Sequence, residues 1–535
     1  MMRQRIEEAI AAELPGASFV IERPRDMRHG DYSTNAALVA KIDANDLAAK
    51  LKIDGVEKIE VVGKFINFFI SPKELRSALM PGGLKIPQLN AGKTIMVEYT
   101  DPNPFKEFHI GHLMSNAIGE AIARLLEATG AKVLRANYQG DVGPHVAKAI
   151  WALLQMVNDP LTIEKLGIAY TVGNEQYEAN KEEVDALNKK IYDRNDSKIN
   201  ELYDEGRKLS LQRFEIFYNI LGTKFDYYFF ERETGPKGLA LVKAHPEVFE
   251  QSDGAVVFHG EHTRVFITSL GLPTYETKDL GLLELKKEKA SLDESITVTA
   301  NEQNDYFKVV LAAATRLSEI ADIASKTQHV SHGMMRFAQG KMSSRTGNVI
   351  TGESLLGDLI VLAHKKMQGR KLADANKIAE GVAVGAIKYT VLKQGTGKDI
   401  IFNPEQSLSL EGDSGPYLQY ALVRARSLLK KAEAEGLQYT DILKDVSMLY
   451  PPEAAQLERV LIHYPEVVER AARELEPHYL TTYLTELAGS FNSWYASNRV
   501  IGGDNPHFGV FLASAVEHVL REGLETLGIP TPEEM

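Results

Sequence analysis

Two histidines three residues apart, His109 and His112, are the side chains of this sequence whose spacing first suggests chemistry. They stand where a β-rich run passes into a helical pattern, with Gly111 between them. Open α/β sheets bind ligands at that edge, and the free amides of a helix N-terminus favour phosphate. Both imidazoles can donate hydrogen bonds to one triphosphate, and Gly111 leaves room for a flat base against the backbone. A pair of surface histidines, or an incidental pair of zinc ligands, is the alternative interpretation.

A second candidate lies about two hundred residues later, in the loop Lys341–Arg345 with the sequence KMSSR. Gly340 and Gly347 flank this loop, so it can close over a substrate. Its two cations would neutralise pyrophosphate as that group leaves, because the charge on departing phosphates must be stabilised. A solvated basic loop is the alternative interpretation.

The residues around the two histidines predict a parallel sheet. The β-rich run Thr94–Tyr99 precedes them, a helical pattern follows them as far as Gly130, and Val133–Ala136 resumes β character. Strand, helix and strand at this spacing form a βαβ unit, whose two strands are parallel. Further strand-like runs follow at Ala255–Phe258, Arg264–Ile267 and Ile296–Thr299. We therefore expect a Rossmann-like α/β domain.

The segments on either side of this domain predict other structures. Before it, a helix over the first residues, a second helix over Ser33–Lys41 and alternating strands near Glu57–Ile70 indicate an α+β domain. The charged stretch Asn174–Lys208 has helical character without an obvious apolar stripe, so we expect a surface insertion there. Apolar residues at spacings of three and four predict a bundle of helices at the C-terminal end. These helices are Tyr417–Ala434, Pro452–Leu461, Glu466–Leu475, His478–Tyr495 and Phe508–Leu527.

The predicted fold class is α/β, with three domains. A length of 535 residues suggests about three domains or more. We place the α+β N-terminal domain at residues 1–88 and the Rossmann-like parallel-sheet domain at residues 89–405, with a helical insertion around residues 160–235. The all-α helical bundle takes residues 406–535.

The composition excludes several kinds of site. The sequence contains no cysteine, which excludes disulfides, thiolate zinc sites, iron–sulfur clusters and cysteine nucleophiles. The net charge of −12 excludes a strongly basic nucleic-acid coat but not a local basic surface. The sequence predicts neither a signal peptide nor a stretch of about 18 apolar residues that would cross a membrane, so the expected location is the cytoplasm.

The order of the two candidate segments is shared with a known family. A His-x-Gly-His turn after the first strand, followed by a Lys-Met-Ser-Ser loop, is the paired signature of class I aminoacyl-tRNA synthetases. Five segments resemble the arginine-specific family of that class, the arginyl-tRNA synthetases: Gly30–Ala36, Val97–His112, Leu272–Leu280, Gly415–Ala421 and Leu527–Met535. The resemblance implies ATP-dependent ligation of L-arginine to tRNA(Arg) through an arginyl-adenylate, giving arginyl-tRNA, AMP and diphosphate.

The resemblance also implies which residues act on ATP. The catalytic positions of the family correspond to Lys106, His109, His112 and Lys341. The ATP-binding positions correspond to Pro102, Phe108, His109, Gly111, His112, Lys341, Met342 and Ser343. Mg²⁺ is expected to accompany ATP in the substrate complex, and no structural metal is expected. The reaction needs no covalent nucleophile, because positioning and charge stabilisation suffice.

Recognition of arginine requires groups that match a planar fork of donors, best a carboxylate and a hydroxyl. Tyr275 and Asp279 are four residues apart and would share one face of a helix. The family binds the arginine side chain with residues at these two matched positions. The resemblance adds Glu98 and Asn103 for the α-amino and carboxylate ends, and Gln303 as a further contact. A carboxylate on a helix surface and a half-buried core ring are the alternative interpretations of the pair.

Two positions depart from the pattern of the family. Ser344 stands where the loop motif has lysine, and the neighbouring Arg345 would compensate. Met114 stands where the family usually has arginine, so no role is carried over to it.

The resemblance implies partners as well. The C-terminal bundle resembles an anticodon-binding domain, and Arg23, Arg25 and Arg28 are candidate contacts to the tRNA elbow. We expect a monomer without a membrane partner. Two other functions stay open: a His-x-Gly-His nucleotidyltransferase that acts on a small acid, and a catalytically silent, synthetase-derived RNA-binding protein.

Overall fold

The described part of the chain divides into two compact units. A computed structural model describes residues 2–156, 160–337, 351–437 and 455–535. The smaller unit comprises Met1–Ile86, Arg424–Glu466 and Glu486–Leu520. The larger unit comprises Pro87–Val423, Val467–Thr485 and Arg521–Met535.

A five-stranded parallel sheet is the centre of the larger unit. In spatial order its strands are Thr327–His332, Glu294–Ala300, Thr94–Glu98, Lys132–Gln139 and Tyr227–Phe230. Every neighbouring pair is parallel, so the carboxyl ends of the five strands lie at one edge. The helix Ile110–Ala128 joins the strands Thr94–Glu98 and Lys132–Gln139. The predicted βαβ unit is therefore confirmed.

The strand Thr94–Glu98 is covered on both faces, which explains its unbroken apolar run. Its three middle residues are fully buried: Ile95, Met96 and Val97. This is typical of parallel strands with helices on both sides of the sheet. The helix Ile110–Ala128 lies so close to the end of this strand that a Cβ on Gly119 would come 2.3 Å from the Tyr99 ring. Glycine is required there for the close approach.

The helical segment that follows the first βαβ unit has a core of its own. Its helices are Pro144–Gln155, Ile163–Glu175, Lys181–Asp193 and Ser197–Ile220. Three apolar residues of the third helix are buried at spacings of three and four: Val184, Leu187 and Ile191. They belong to one cluster with Ile150 and Tyr203. The prediction that Asn174–Lys208 lacks an apolar stripe is therefore wrong. The stripe consists of only three apolar residues among many charged ones, so it is easily overlooked in the sequence.

Two small sheets and further helices complete the larger unit. The antiparallel strands Glu250–Ser252, Ala255–His259 and Thr263–Ile267 form one sheet, and the parallel strands Met335–Phe337 and Ile400–Phe402 form the other. The strands predicted near residues 255–258, 264–267 and 296–299 are confirmed. The helices are Glu231–Ala244, Tyr275–Lys289, Asn304–Ala314, Ala321–Ser325, Gly352–Lys366, Ala375–Leu392 and Pro404–Ser407.

The N-terminal part of the smaller unit is an antiparallel sheet with helices, as the sequence predicts. Its strands, in spatial order, are Ile21–Glu22, Tyr32–Thr34, Phe65–Ile70 and Val56–Val62. Its helices are Met2–Glu13, Ala36–Ala40, Ala44–Lys50 and Pro72–Leu79. The predicted helix Ser33–Lys41 starts three residues late, because Ser33 pairs with Asn67 in the sheet.

The C-terminal region is helical, as the spacing of its apolar residues predicts. The helices are Gly415–Ala434, Gln456–Leu461, Tyr464–Glu474, His478–Ser497 and Pro506–Thr526. Residues 452–454 of the helix predicted over Pro452–Leu461 lie outside the described residues. Among the described helices, none has both the length and the apolar character needed to span a bilayer.

Candidate active site

The two histidines of the His-x-Gly-His turn stack at the start of the helix Ile110–Ala128. Their ring centroids are 3.5 Å apart. The backbone N–H of His109 donates to Nδ1 of His112 over 3.1 Å. Because Nδ1 of His112 accepts this bond, the neutral ring carries its proton on Nε2. Nε2–H is then the donor that His112 offers to a ligand.

The surrounding protein keeps both rings neutral, although only His112 is buried and His109 is partly open to solvent. Desolvation lowers the pKa of His109 to about 4, and the charge of Lys106 acts in the same direction. The pKa of His112 falls well below its usual range through burial, and then through His109 and Lys106. Burial also lowers the pKa of Lys106. Near pH 7 the turn therefore presents neutral N–H donors beside one lysine, at a helix N-terminus where anions are favoured.

Three other positions expected at the ATP site lie around this turn. The ring of Phe108 is buried and stacks on Phe217, with centroids 5.0 Å apart. Phe108 therefore belongs to an aromatic cluster, and its burial there does not support a direct contact between its ring and ATP. A Cβ on Gly111 would come 3.0 Å from the His109 ring, so the missing side chain makes room for the stacked histidine. Pro102 is buried in the segment that leads to the turn.

The loop positions of the predicted site are not described by the structure. Lys341, Met342 and Ser343 lie in the stretch 338–350, outside the described residues, as do Ser344 and Arg345. Met114 is described and is 1% exposed, so this departure from the pattern of the family is a core side chain.

The five residues expected to bind arginine all line one cavity of about 490 Å³ in the larger unit: Glu98, Asn103, Tyr275, Asp279 and Gln303. They come from the end of one central strand, from the loop that follows it, from the helix Tyr275–Lys289 and from the turn Asn301–Gln303. Parallel strands bring these segments to the same edge, although the residues span about two hundred positions of the sequence.

Hydrogen bonds hold two of these side chains in the cavity wall. Oδ1 of Asn103 accepts the backbone N–H of Gly140 over 2.9 Å. Oδ2 of Asp279 accepts the hydroxyl of Tyr306 over 2.6 Å. Burial raises the pKa of Asp279 to about 7, although the bond from Tyr306 opposes this shift.

The cavity contains further charged residues that the sequence did not reveal. They are the acids Asp101, Glu231, Glu276 and Glu302 and the bases Arg264 and Lys286. Asp101 has a positive φ of 44°, a backbone conformation that costs energy in a residue other than glycine and is often found at functional sites. Glu231 directly follows the strand Tyr227–Phe230, and an aromatic run followed by a charge is the signal that could have identified it. With the predicted residues, the cavity holds six acids and two bases, which suits a cationic ligand.

Three family models match the chain. The model described as the catalytic domain of class I tRNA synthetases (R) matches residues 74–404. The DALR anticodon-binding domain matches residues 418–535. The N-terminal domain of arginyl-tRNA synthetase matches residues 1–70.

Curated relatives and solved structures are similar over the whole length. The chain is 30% identical to the arginine–tRNA ligase of Lactobacillus delbrueckii subsp. bulgaricus, with 100% of both chains covered. It is 29% identical to that of Clostridium perfringens, with 100% of this chain and 99% of the relative covered. The structure of Thermus thermophilus arginyl-tRNA synthetase has a TM-score of 0.83 at 26% identity, with both chains fully covered. That of the Plasmodium falciparum enzyme has a TM-score of 0.82 at 20% identity over 99% of this chain and 98% of its own, a likeness of fold.

Proposed function

Because the chain belongs to the arginyl-tRNA synthetase family, we infer that it ligates L-arginine to tRNA(Arg) at the expense of ATP. In the first step a carboxylate oxygen of arginine attacks the α-phosphorus of ATP, and the bond from that phosphorus to the bridging oxygen breaks. Diphosphate leaves and arginyl-adenylate remains. In the second step a hydroxyl at the 3′ end of the tRNA attacks the carbonyl carbon of the adenylate, and AMP leaves.

The observation that carries this function is the acidic cavity, because its walls suit both cationic ends of arginine. Asp279 and the hydroxyl of Tyr275 are the partners that we assign to the guanidinium group, whose planar fork of donors matches a carboxylate well. Glu98 and Asn103 are assigned to the α-amino and carboxylate ends, and Gln303 to a further contact. All five line the same cavity.

We assign the phosphates of ATP to the turn at the start of the helix Ile110–Ala128. The neutral ring of His112 can donate from Nε2, and Lys106 adds a positive charge. These groups would stabilise the charge that develops while diphosphate leaves. Lys341, Met342 and Ser343 are assigned to the same step by their match to the Lys-Met-Ser-Ser motif. Mg²⁺ would arrive with ATP.

The division into three domains at 1–88, 89–405 and 406–535 stays part of the proposal, and the ranges of the three matched family models support it. The monomeric state and the cytoplasmic location are also part of the proposal.

Of the three arginines proposed to meet the tRNA elbow, Arg23 forms an ion pair with Glu486 and Arg28 with Asp26. Arg25 is exposed and is the clearest candidate contact.

Charging of bulk tRNA with each of the twenty labelled amino acids tests the function directly. We expect arginine alone to be transferred. A nucleotidyltransferase acting on a small acid would form an acyl-adenylate without charging tRNA, and a silent RNA-binding protein would do neither. The match of residues 418–535 to an anticodon-binding domain disfavours the first of these alternatives.

A further inference from the structure

Lys286 is a buried lysine that lines the cavity assigned to arginine. Its side chain is 1% exposed, and Nζ lies 2.9 Å from Oε2 of Glu98. The hydroxyls of Ser295 and Thr297 are each 3.4 Å from Nζ. An ammonium group is costly to bury unless it is paired. The position of Lys286 therefore depends on the acidic groups around it, and Glu98 is the closest of these.

The acids of the cavity differ in their partners. Three of them contact a basic side chain of the protein: Glu98 with Lys286, Glu231 with Lys278 and Glu276 with Arg264. Asp101, Asp279 and the exposed Glu302 form no ion pair with any lysine or arginine that the structure describes. Asp101 accepts the backbone N–H of Tyr138 over 2.7 Å, and Asp279 accepts the hydroxyl of Tyr306. Three carboxyl groups of the cavity are thus left without a cation of the protein, and Asp279 among them is the one assigned to the guanidinium group.

We propose that Lys286 is a positioning residue for arginine recognition, which holds Glu98 in the cavity wall and favours the charged forms of Asp101 and Asp279. The inference rests on the proposed ligation of arginine. Lys286 acts through Glu98, Asp101 and Asp279 and is not itself a catalytic residue.

The electrostatics of the cavity support this role. Burial raises the pKa of Asp101 and of Asp279, and Glu98 raises both further, whereas the positive charge of Lys286 lowers both. The other groups that act on these two carboxyls are Glu231, Tyr306 and the backbone of Tyr138. Without Lys286, Glu98 would be a buried carboxylate without a cation, and the cluster would hold its protons up to a higher pH than in the wild type. Arginine would then have to displace those protons in order to bind.

The variants Lys286→Met and Lys286→Arg test the inference in the full-length protein. The KM for arginine, the KM for ATP and kcat are measured by tRNA charging between about pH 6.5 and 9. We expect Lys286→Met to raise the KM for arginine by about tenfold or more at pH 7, because Glu98 loses its cation and the carboxyls of the cavity hold protons that arginine must displace. The KM for arginine should fall as the pH rises, and in Lys286→Met this fall should occur at a pH about one unit higher than in the wild type. The KM for ATP should stay within about twofold, and Lys286→Arg should restore most of the affinity for arginine.

The matched control is Lys289→Met, which removes an exposed lysine of the same helix. We expect it to behave like the wild type. If Lys286→Met does not fold, the double variant Glu98→Gln/Lys286→Met removes both charges and should fold, because replacing both partners of a buried pair is often neutral. Its pH profile should return toward that of the wild type while its KM for arginine stays raised.

The results that would overturn the role of Lys286 differ from the result that would overturn the proposed function. If Lys286→Met is folded and matches Lys289→Met in both KM and pH profile, the role of Lys286 is overturned. The same holds if the double variant is folded and matches the wild type in its KM for arginine. If the wild-type protein does not charge tRNA with arginine, the proposed function itself is overturned.

Discussion

The hydroxyl of Tyr306 donates a 2.6 Å hydrogen bond to Oδ2 of Asp279. Tyr306 belongs to the helix Asn304–Ala314 and Asp279 to the helix Tyr275–Lys289. The bond therefore ties two helices together at the cavity wall and fixes one oxygen of the carboxylate. The other oxygen is left for a donor of the substrate.

Replacing Asp279 by asparagine should weaken arginine binding selectively. The charge-assisted contact to guanidinium contributes on the order of 1.5–3 kcal/mol, so we expect the KM for arginine to rise by at least about tenfold while the KM for ATP changes little. Steady-state charging assays measure both constants. Asp305→Asn, at an exposed position outside the cavity, is the control, and equal arginine KM values for the two variants would contradict the assignment.

The affinity for arginine should depend on pH near neutrality. Burial raises the pKa of Asp279 to about 7, and only the carboxylate form attracts guanidinium. The KM for arginine should therefore rise as the pH falls from about 8 to 6. Tyr306→Phe removes a hydrogen bond that lowers this pKa, so its profile should move to higher pH. A profile of Tyr306→Phe that coincides with that of the wild type, or lies at lower pH, would count against this account.

Loss of His112 should slow the chemical step without weakening arginine binding. His112 offers Nε2–H to the phosphates, and removing one such donor typically costs about 10²–10³ in rate. We expect kcat of His112→Ala to fall by that order, whereas titration of the folded variant with arginine alone should give the affinity of the wild type. His262→Ala removes an exposed histidine and should leave kcat unchanged. A kcat of His112→Ala close to that of this control would exclude the assigned role.

Gly140→Ala should impair function more than stability. A Cβ at this position would come 2.4 Å from Oδ1 of Asn103, which must move and lose its bond to the backbone N–H of residue 140. We expect the KM for arginine to rise about tenfold, while the free energy of unfolding falls by only about 1 kcal/mol. Gly357→Ala is the control, because a Cβ there meets no atom within 4 Å. Arginine KM values that agree between the two variants would show that Asn103 does not hold the substrate.

Lys388 should make the folded protein more stable as the pH rises above neutrality. Its Nζ donates to the carbonyls of Leu221 and Gly528 over 2.7 Å and 2.8 Å. Burial lowers its pKa to about 7, against the opposing effect of Glu120, whereas an unfolded lysine titrates near 10.4. Between these values the unfolded chain binds more protons than the folded one, so stability increases with pH.

Lys388→Met removes this contribution. We compare the free energy of unfolding of the wild type with that of the variant at each pH. The difference, wild type minus variant, should be about 1–2 kcal/mol larger at pH 9 than at pH 7. Denaturation by urea at the two pH values gives the difference. A difference between wild type and variant that does not grow with pH would show that Lys388 stays charged in the folded protein.

Much of the fold follows from local patterns. Alternation, helical spacing and the turn at Gly130 predicted the βαβ unit around His109 and His112, and parallel strands necessarily bring their carboxyl ends to one edge. The match to the family then assigned the residues of the arginine cavity. Local patterns failed at Ser33, which the partner strand Phe65–Ile70 holds in the sheet, and in the stretch Asn174–Lys208, whose few apolar residues form a core.

The sequence alone therefore determined which residue types arrive at the edge of the sheet and in which order. Only the tertiary structure decided their charge states and partners. The protein atoms around His109 and His112 keep the two rings neutral, and burial raises the pKa of Asp279. Both effects depend on everything that is packed around a residue. The pairing of Lys286 with Glu98 joins positions far apart in the chain, and no spacing rule reaches across such a distance.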